Sequence, residues 1–156
     1  MGRIKVTKTD RKVRIFGRVF FVLYMILALY FMFFSETLDR TMVSDEYRYN
    51  LTLFKEIKRF WNMRHTYGWD VTIVNLLGNV VCFMPFGFLL PTISRKKVFK
   101  NILSVTFMTM LFSIGIETAQ LVTKVGAFDV DDIFLNTVGG FLGYIFMKLT
   151  KIRKHI

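Results

Sequence analysis

The side chains able to do chemistry are concentrated in a small part of this chain. Glu117 and Gln120 are followed by Asp129, Asp131, Asp132 and Asn136, and two further amides, Asn75 and Asn79, lie upstream. All sit in or beside apolar runs, where an ionisable group is costly unless it has a partner or a purpose. Clustered carboxylates of this kind can share general acid and base work, hold a divalent cation or engage a polar headgroup. On residue type, Glu117, Asp129 and Asp132 are the candidate catalytic groups: Glu117 as a buried acid or base, the two aspartates as headgroup or cation ligands. Asn75, Asn79, Gln120, Asn136 and Asp131 are the candidates for lining a pocket, with the amides as orienting donors.

Other chemistries find no support. His65 and His155 fall in different polar segments, so no serine–histidine arrangement forms. Cys82 is the only cysteine, which excludes an intramolecular disulfide and a cysteine metal site. Asp129-x-Asp131-Asp132 alone specifies no metal, because helix N-termini are acid-rich in any case. Neither a Walker-type loop nor an Arg-rich voltage sensor is present, and no cofactor is specified.

Composition says what must position these groups. The 156 residues are 53% hydrophobic, include 18 Phe and 9 Met, and yet carry a formal charge of +11. The charges come in blocks between apolar runs of transmembrane length, which suits a small membrane protein and not a soluble globule. No RNA-binding motif or basic recognition helix separates the runs, so nucleic acid is not an expected partner. Anionic lipid headgroups are, on the cytoplasmic side.

Residues 1–18 form a basic arm in which Arg3, Lys5, Lys8, Arg11, Lys12, Arg14 and Arg18 face one acid, Asp10. A membrane domain over 19–149 follows, with spans expected at about 15–34, 71–94, 101–122 and 130–149, and then a basic tail at 150–156. The first span reads as retained rather than cleaved, since its exit, Phe33-Phe34-Ser35-Glu36, lacks small residues. The loop at 35–70 balances six basic against six acidic side chains. Within it, Leu53, Phe54, Ile57, Phe60 and Trp61 recur at helical spacing, with Lys55, Glu56, Lys58 and Arg59 opposite. That pattern predicts a short amphipathic helix, lying on the membrane or packed over the bundle mouth. Asn50-Leu51-Thr52 is a glycosylation sequon only in form. Pro85 should kink the second span near its middle.

The expected fold is therefore an all-α, four-helix integral membrane bundle. Its orientation follows from the basic residues. The arm, the turn with Arg95, Lys96, Lys97 and Lys100, and the tail with Lys148, Lys151, Arg153 and Lys154 are basic, whereas 35–70 and 123–132 are not. This alternation predicts four spans with both termini in the cytoplasm. The second span then starts at the outer surface, the third ends there and the fourth starts there. All the polar groups fall within roughly 10–12 Å of the outer boundary at ~1.5 Å per residue. On the fourth span Asp132, Asn136, Gly139/Gly140 and Gly143 form one stripe, and glycines so spaced admit a close helix neighbour. The stripe faces inward, and a polar pocket open to the outside is the expectation.

Plainer uses exist for most of these residues. Asp129 and Asp131 can cap the fourth helix. Asn75, Asn79 and Asn136 can be hydrogen-bonding links between helices, and Gly139, Gly140, Gly143 and Pro85 are packing and kink elements. Glu117 has few such explanations.

The chain resembles the VanZ-like family of bacterial membrane proteins. The residues that carry the likeness are Asn50-Leu51-Thr52-Leu53-Phe54, Asn75-Leu76-Leu77-Gly78-Asn79 leading into Phe83-Met84-Pro85-Phe86-Gly87-Phe88-Leu89-Leu90, Glu117-x-x-Gln120, and Phe128-Asp129-Val130-Asp131-Asp132 to Asn136-Thr137-x-Gly139-Gly140-x-x-Gly143. They cover roughly residues 50–147 in order. Leu53 stands where the family often has Pro, and Lys124-Val125 where many members carry an Arg. The resemblance implies cell-envelope function and resistance to teicoplanin-type glycopeptide antibiotics. A lipid-linked wall component or the glycopeptide itself is then the expected partner, to be bound or altered at the outer leaflet. A non-enzymatic interaction subunit is the alternative, and a small transporter component ranks below both.

Overall fold

The computed structural model describes residues 8–34, 46–94 and 96–150. Arg3 and Lys5 of the arm, the loop residues 35–45, Arg95, and Lys151, Arg153 and Lys154 of the tail lie outside the described residues. The elements are α1 (Lys8–Phe34), β1 (Arg48–Asn50), α2 (Lys55–Asn62), α3 (Arg64–Tyr67), α4 (Trp69–Ile93), a 3-10 turn (Lys97–Lys100), α5 (Ile102–Thr123), β2 (Ala127–Asp129) and α6 (Val130–Leu149). Four of them, α1, α4, α5 and α6, are long and apolar enough to cross a membrane. The shortest, α6, has 20 residues, or ~30 Å, one hydrocarbon thickness.

The apolar runs set the helices and local chemistry sets their ends. α1 differs from expectation by starting at Lys8, so the basic arm and the first span are one helix of 27 residues. Nothing between them breaks the helix, and at ~40 Å it exceeds the hydrocarbon core, leaving the basic turns to emerge. Asn101 caps α5 by accepting the Leu103 amide at 3.0 Å. α5 stops where Lys124 turns left-handed, at φ 57°. Asp129 caps α6 by accepting the Asp131 amide at 2.8 Å. α4 runs continuously through both Pro85 and Pro91.

α6 is clasped between α4 and α5, and the glycine stripe is the reason. A Cβ on Gly139 would meet the Val80 carbonyl, one on Gly143 the Met84 carbonyl, and one on Gly140 the Thr109 side chain. Gly87 of α4 answers from the other side, its missing Cβ directed at the Gly140 carbonyl. Backbone thus packs on backbone without intervening side chains. Below this seam Val105, Tyr144 and Met147 form a buried cluster, and the Tyr144 hydroxyl donates to the Lys100 carbonyl at 2.5 Å. α1 joins through α4: Phe21 tilts against Phe86, which stacks on Phe112 of α5 at 4.9 Å.

Helical periodicity does not show the remaining element. β1 and β2 pair in parallel, with Arg48 opposite Ala127, Tyr49 opposite Phe128 and Asn50 opposite Asp129. This short pair ties the segment before α2 to the α5–α6 turn.

Candidate functional site at the acidic end of the bundle

The site lies where α4 begins, α5 ends and α6 begins, and α2 covers it. Asp131 builds the cover. Its carboxylate accepts the backbone N–H of Phe54, that of Glu56 at 2.7 Å and that of Ile57 at 3.2 Å. These are the first amides of α2, which has no capping side chain of its own. An anion there also meets the positive end of the helix dipole. Asp131 is 1% exposed and α2 buries no residue, so α2 owes its place largely to this contact. Of the two placements expected for the amphipathic helix, the structure shows the one packed over the bundle mouth. Phe54 enters α2 at φ 64°, a left-handed conformation unusual for a bulky residue, and its ring meets Phe134 edge-on at 5.3 Å.

Asp129 holds the strand pair to the helix. Besides capping α6 it accepts from Asn50 Nδ2 at 3.0 Å, while Asn50 Oδ1 takes the Thr52 amide at 3.1 Å. Asn50 is buried, so the formal sequon is a structural joint. Glu117, 3% exposed, supports the same turn from behind, accepting the Asp129 amide at 3.1 Å. Asp132 receives Asn79 Nδ2 at 2.6 Å, a bond between α6 and α4.

Between α2, α4 and the first turn of α6 lies a cavity of about 180 Å³. Asn75, Asp129, Asp131 and Asp132 line it from the bundle, and Glu56 and Arg59 from the cover. Glu56 and Arg59 form an ion pair at 2.6 Å. Asn75 donates to the Val71 carbonyl of its own helix at 2.8 Å, which leaves its amide oxygen as a polar group of the wall. Four carboxylates thus border the cavity against one guanidinium.

The structure therefore gathers Asn75, Asp129, Asp131 and Asp132, with Asn79 reaching the wall through Asp132. It does not bring Glu117, Gln120 or Asn136 to the cavity; Glu117 accepts the Asp129 amide behind the turn. Gln120 Nε2 donates to the Met32 carbonyl at 2.9 Å, holding α1 to α5. Asn136 Nδ2 donates to Ser113 Oγ at 2.8 Å, deep in the α5–α6 seam, and its Oδ1 is buried with no partner there. Among the described residues, no group of three His, Cys, Asp or Glu side chains is arranged to hold a metal ion. Asn50, Glu56 and Arg59 enter the site without having been singled out. Their signal was present: Glu56 and Arg59 share one side of the amphipathic helix, and Asn50 opens the motif before it. Lys124 lies over the Tyr47 ring at 4.8 Å.

The sequence profile of the VanZ/LLP1 family matches residues 21–151. The chain belongs to this family. Protein VanZ of Enterococcus faecium is 37% identical over 68 residues, a stretch that makes up 44% of this chain and 40% of that relative. The chain thus matches less than half of that relative's length. No solved structure matches the chain. Family membership and the four apolar helices together make this a multi-pass membrane protein.

Proposed function

We propose that this VanZ/LLP1 protein contributes to glycopeptide resistance of the teicoplanin type by binding the polar part of a lipid-linked envelope component in the cavity under α2. The observation that carries this reading is the walled cavity itself, with Asp132 held by Asn79 at 2.6 Å and Asn75 beside it. A carboxylate and amides in a partly enclosed site accept hydrogen bonds from hydroxyl, amide or ammonium groups, which such headgroups carry. About 180 Å³ admits a headgroup-sized fragment and no more.

The protein sits in the bacterial cytoplasmic membrane with both termini inside and the cavity facing out. Charge supports this orientation. Every acid whose side chain is described lies at the cavity end, while the opposite end presents Lys12, Arg14, Arg18, Lys96, Lys97, Lys100 and Lys148. Binding suits the geometry better than bond breaking, because Asp129, Asp131 and Glu117 accept backbone amides.

A second reading, an accessory subunit whose polar residues only join helices, draws on the same bonds together with those of Gln120 and Asn136. One experiment decides between them. The chain is expressed in a glycopeptide-susceptible bacterium, and teicoplanin inhibition is measured beside mass spectra of envelope lipids and wall precursors. Asp132→Asn and Asn75→Ala should reach the membrane at wild-type level and lose the protection, with precursor chemistry unchanged. Full protection in both variants would sink the cavity reading, and a new precursor species would replace binding by catalysis.

A further inference from the structure

A second concavity, larger and opposite in character, lies between α1, α4 and α6. It encloses about 730 Å³ and has Leu23 and Tyr24, Val81 and Pro85, and Gly143 and Phe146 on its three walls. Tyr24 brings the one hydroxyl group, and that hydroxyl donates to the Cys82 carbonyl at 2.9 Å. The groove arises because α1 packs chiefly on α4, while α6 presents bare backbone at Gly143. All three walls belong to helices able to span a membrane, so the surrounding medium is hydrocarbon. A volume within the ~300–1,000 Å³ range of ligand sites would forfeit many dispersion contacts if it stayed empty.

The groove follows α4 from Val81 to Leu89 and α1 from Leu27 back to Phe20, about 10–12 Å at ~1.5 Å per residue. Its Phe20–Leu89 end points toward the basic end of the bundle. Lys12 is on the same side of α1 as Leu23, three turns nearer that end, whereas Lys148, two residues beyond Phe146, faces away from the groove and lies over the Tyr144 ring at 5.1 Å. The walls hold no polar group that would select a headgroup. Selection must therefore occur where a chain leaves the groove, and the side chains described at that end carry only positive charge.

We infer that the groove is a binding site for one acyl chain of an anionic phospholipid, with the lipid phosphate at the level of Lys12. This site is separate from the cavity under α2, on another side of α4 and nearer the opposite end of the bundle. One lysine near the headgroup favours an anionic over a zwitterionic lipid by roughly fivefold. The acyl chain supplies grip and Lys12 supplies choice.

The test is native mass spectrometry of the full-length protein in detergent, titrated with phosphatidylglycerol and with phosphatidylcholine of the same acyl chains. The expected result is one retained phosphatidylglycerol at roughly fivefold lower lipid concentration than phosphatidylcholine. Leu89→Trp fills the groove and should abolish retention, whereas Leu103→Trp, on a face 75% exposed, should preserve it. Lys12→Gln should equalise the two lipids while a chain is still held, and Lys148→Gln should leave the preference unchanged. Circular dichroism confirms that each variant is folded. Equal retention of both lipids by the wild type would overturn the anionic choice. Leu89→Trp behaving as Leu103→Trp would overturn the groove, as would a dimer that Leu89→Trp disperses, since the occupant would then be a second copy of the chain.

Discussion

Replacing Asp131 with Ala tests how the cavity keeps its cover. The carboxylate serves three amides at the start of α2, those of Phe54, Glu56 and Ile57. Hydrogen bonds to charged groups contribute about 1.5–3 kcal/mol each, and a lost N-cap costs about 0.5–2 kcal/mol. Three amides sharing one carboxylate at a partly exposed helix end make about 3 kcal/mol a reasonable total. α2 absorbs little of that loss, because none of its eight residues is fully buried and a helix so short does not persist alone. Release of the left-handed Phe54 also favours undocking, by ~1–2 kcal/mol. The docked state of α2 should therefore lose roughly a hundredfold in its equilibrium. Hydrogen exchange, read by mass spectrometry on peptides covering 54–60 and on peptides from the α4–α6 seam, reports it directly. The expectation is exchange faster by about that factor at 54–60, an unchanged seam, and an intermediate value for Asp131→Asn, which keeps one acceptor oxygen. Unchanged protection at 54–60 in the Ala variant would refute the reasoning, and so would equal acceleration in both regions.

Other expectations follow from the same contacts. Gly87→Ala drives a Cβ into the Gly140 carbonyl and should destabilise by about 1–3 kcal/mol, whereas Gly78→Ala meets nothing within 4 Å and should be neutral or slightly stabilising; thermal unfolding in detergent compares them. A double-mutant cycle on Asn79→Ala and Asp132→Asn should give a coupling of about 0.6–1.7 kcal/mol, and a value near zero would mean that their 2.6 Å bond adds nothing to the fold. The Lys100 ammonium is held below the ordinary lysine range, by partial burial first and by the Arg14 charge second. Folding disfavours its protonated form, so its contribution to stability rises with pH between its lowered value and 10.5, the sign opposite to that of a lysine that gains a carboxylate. Arg14→Gln should move the Lys100 titration upward, as followed by NMR of the labelled amine.

The four spans were legible because charge-free runs of about twenty residues have little alternative to helix, and basic blocks mark their ends. The shared depth of Asn75, Asn79, Glu117 and Asp132 was legible too, since rise per residue converts sequence position into height. Height does not say which neighbour a side chain meets. Asn136 lies one turn beyond Asp132 on the same stripe, yet it meets Ser113 of α5 while Asp132 meets Asn79 of α4. The service Asp131 gives α2 was hidden for a different reason. An acid in the first turn of a helix normally serves that helix, and nothing near position 131 announces a partner 77 residues earlier. The strand pair was invisible because three residues on each side are too few for any period to register. The glycine stripe was readable in full, since small residues at that spacing answer to one physical demand wherever they occur.

The parallel pairing of β1 with β2 also sets an order of events during synthesis. Asn50 meets Asp129 across 79 residues of chain, a stretch that contains all of α4 and α5. Neither that joint nor the Asp131 cap can close before the start of α6 has been made, and closing so long a loop is slow relative to helix formation. The cavity under α2 is thus among the last features of the molecule to come into being. A chain halted after α5 would hold three apolar helices ready for the bilayer and would lack the walls that Asp131 and Asp132 give the cavity.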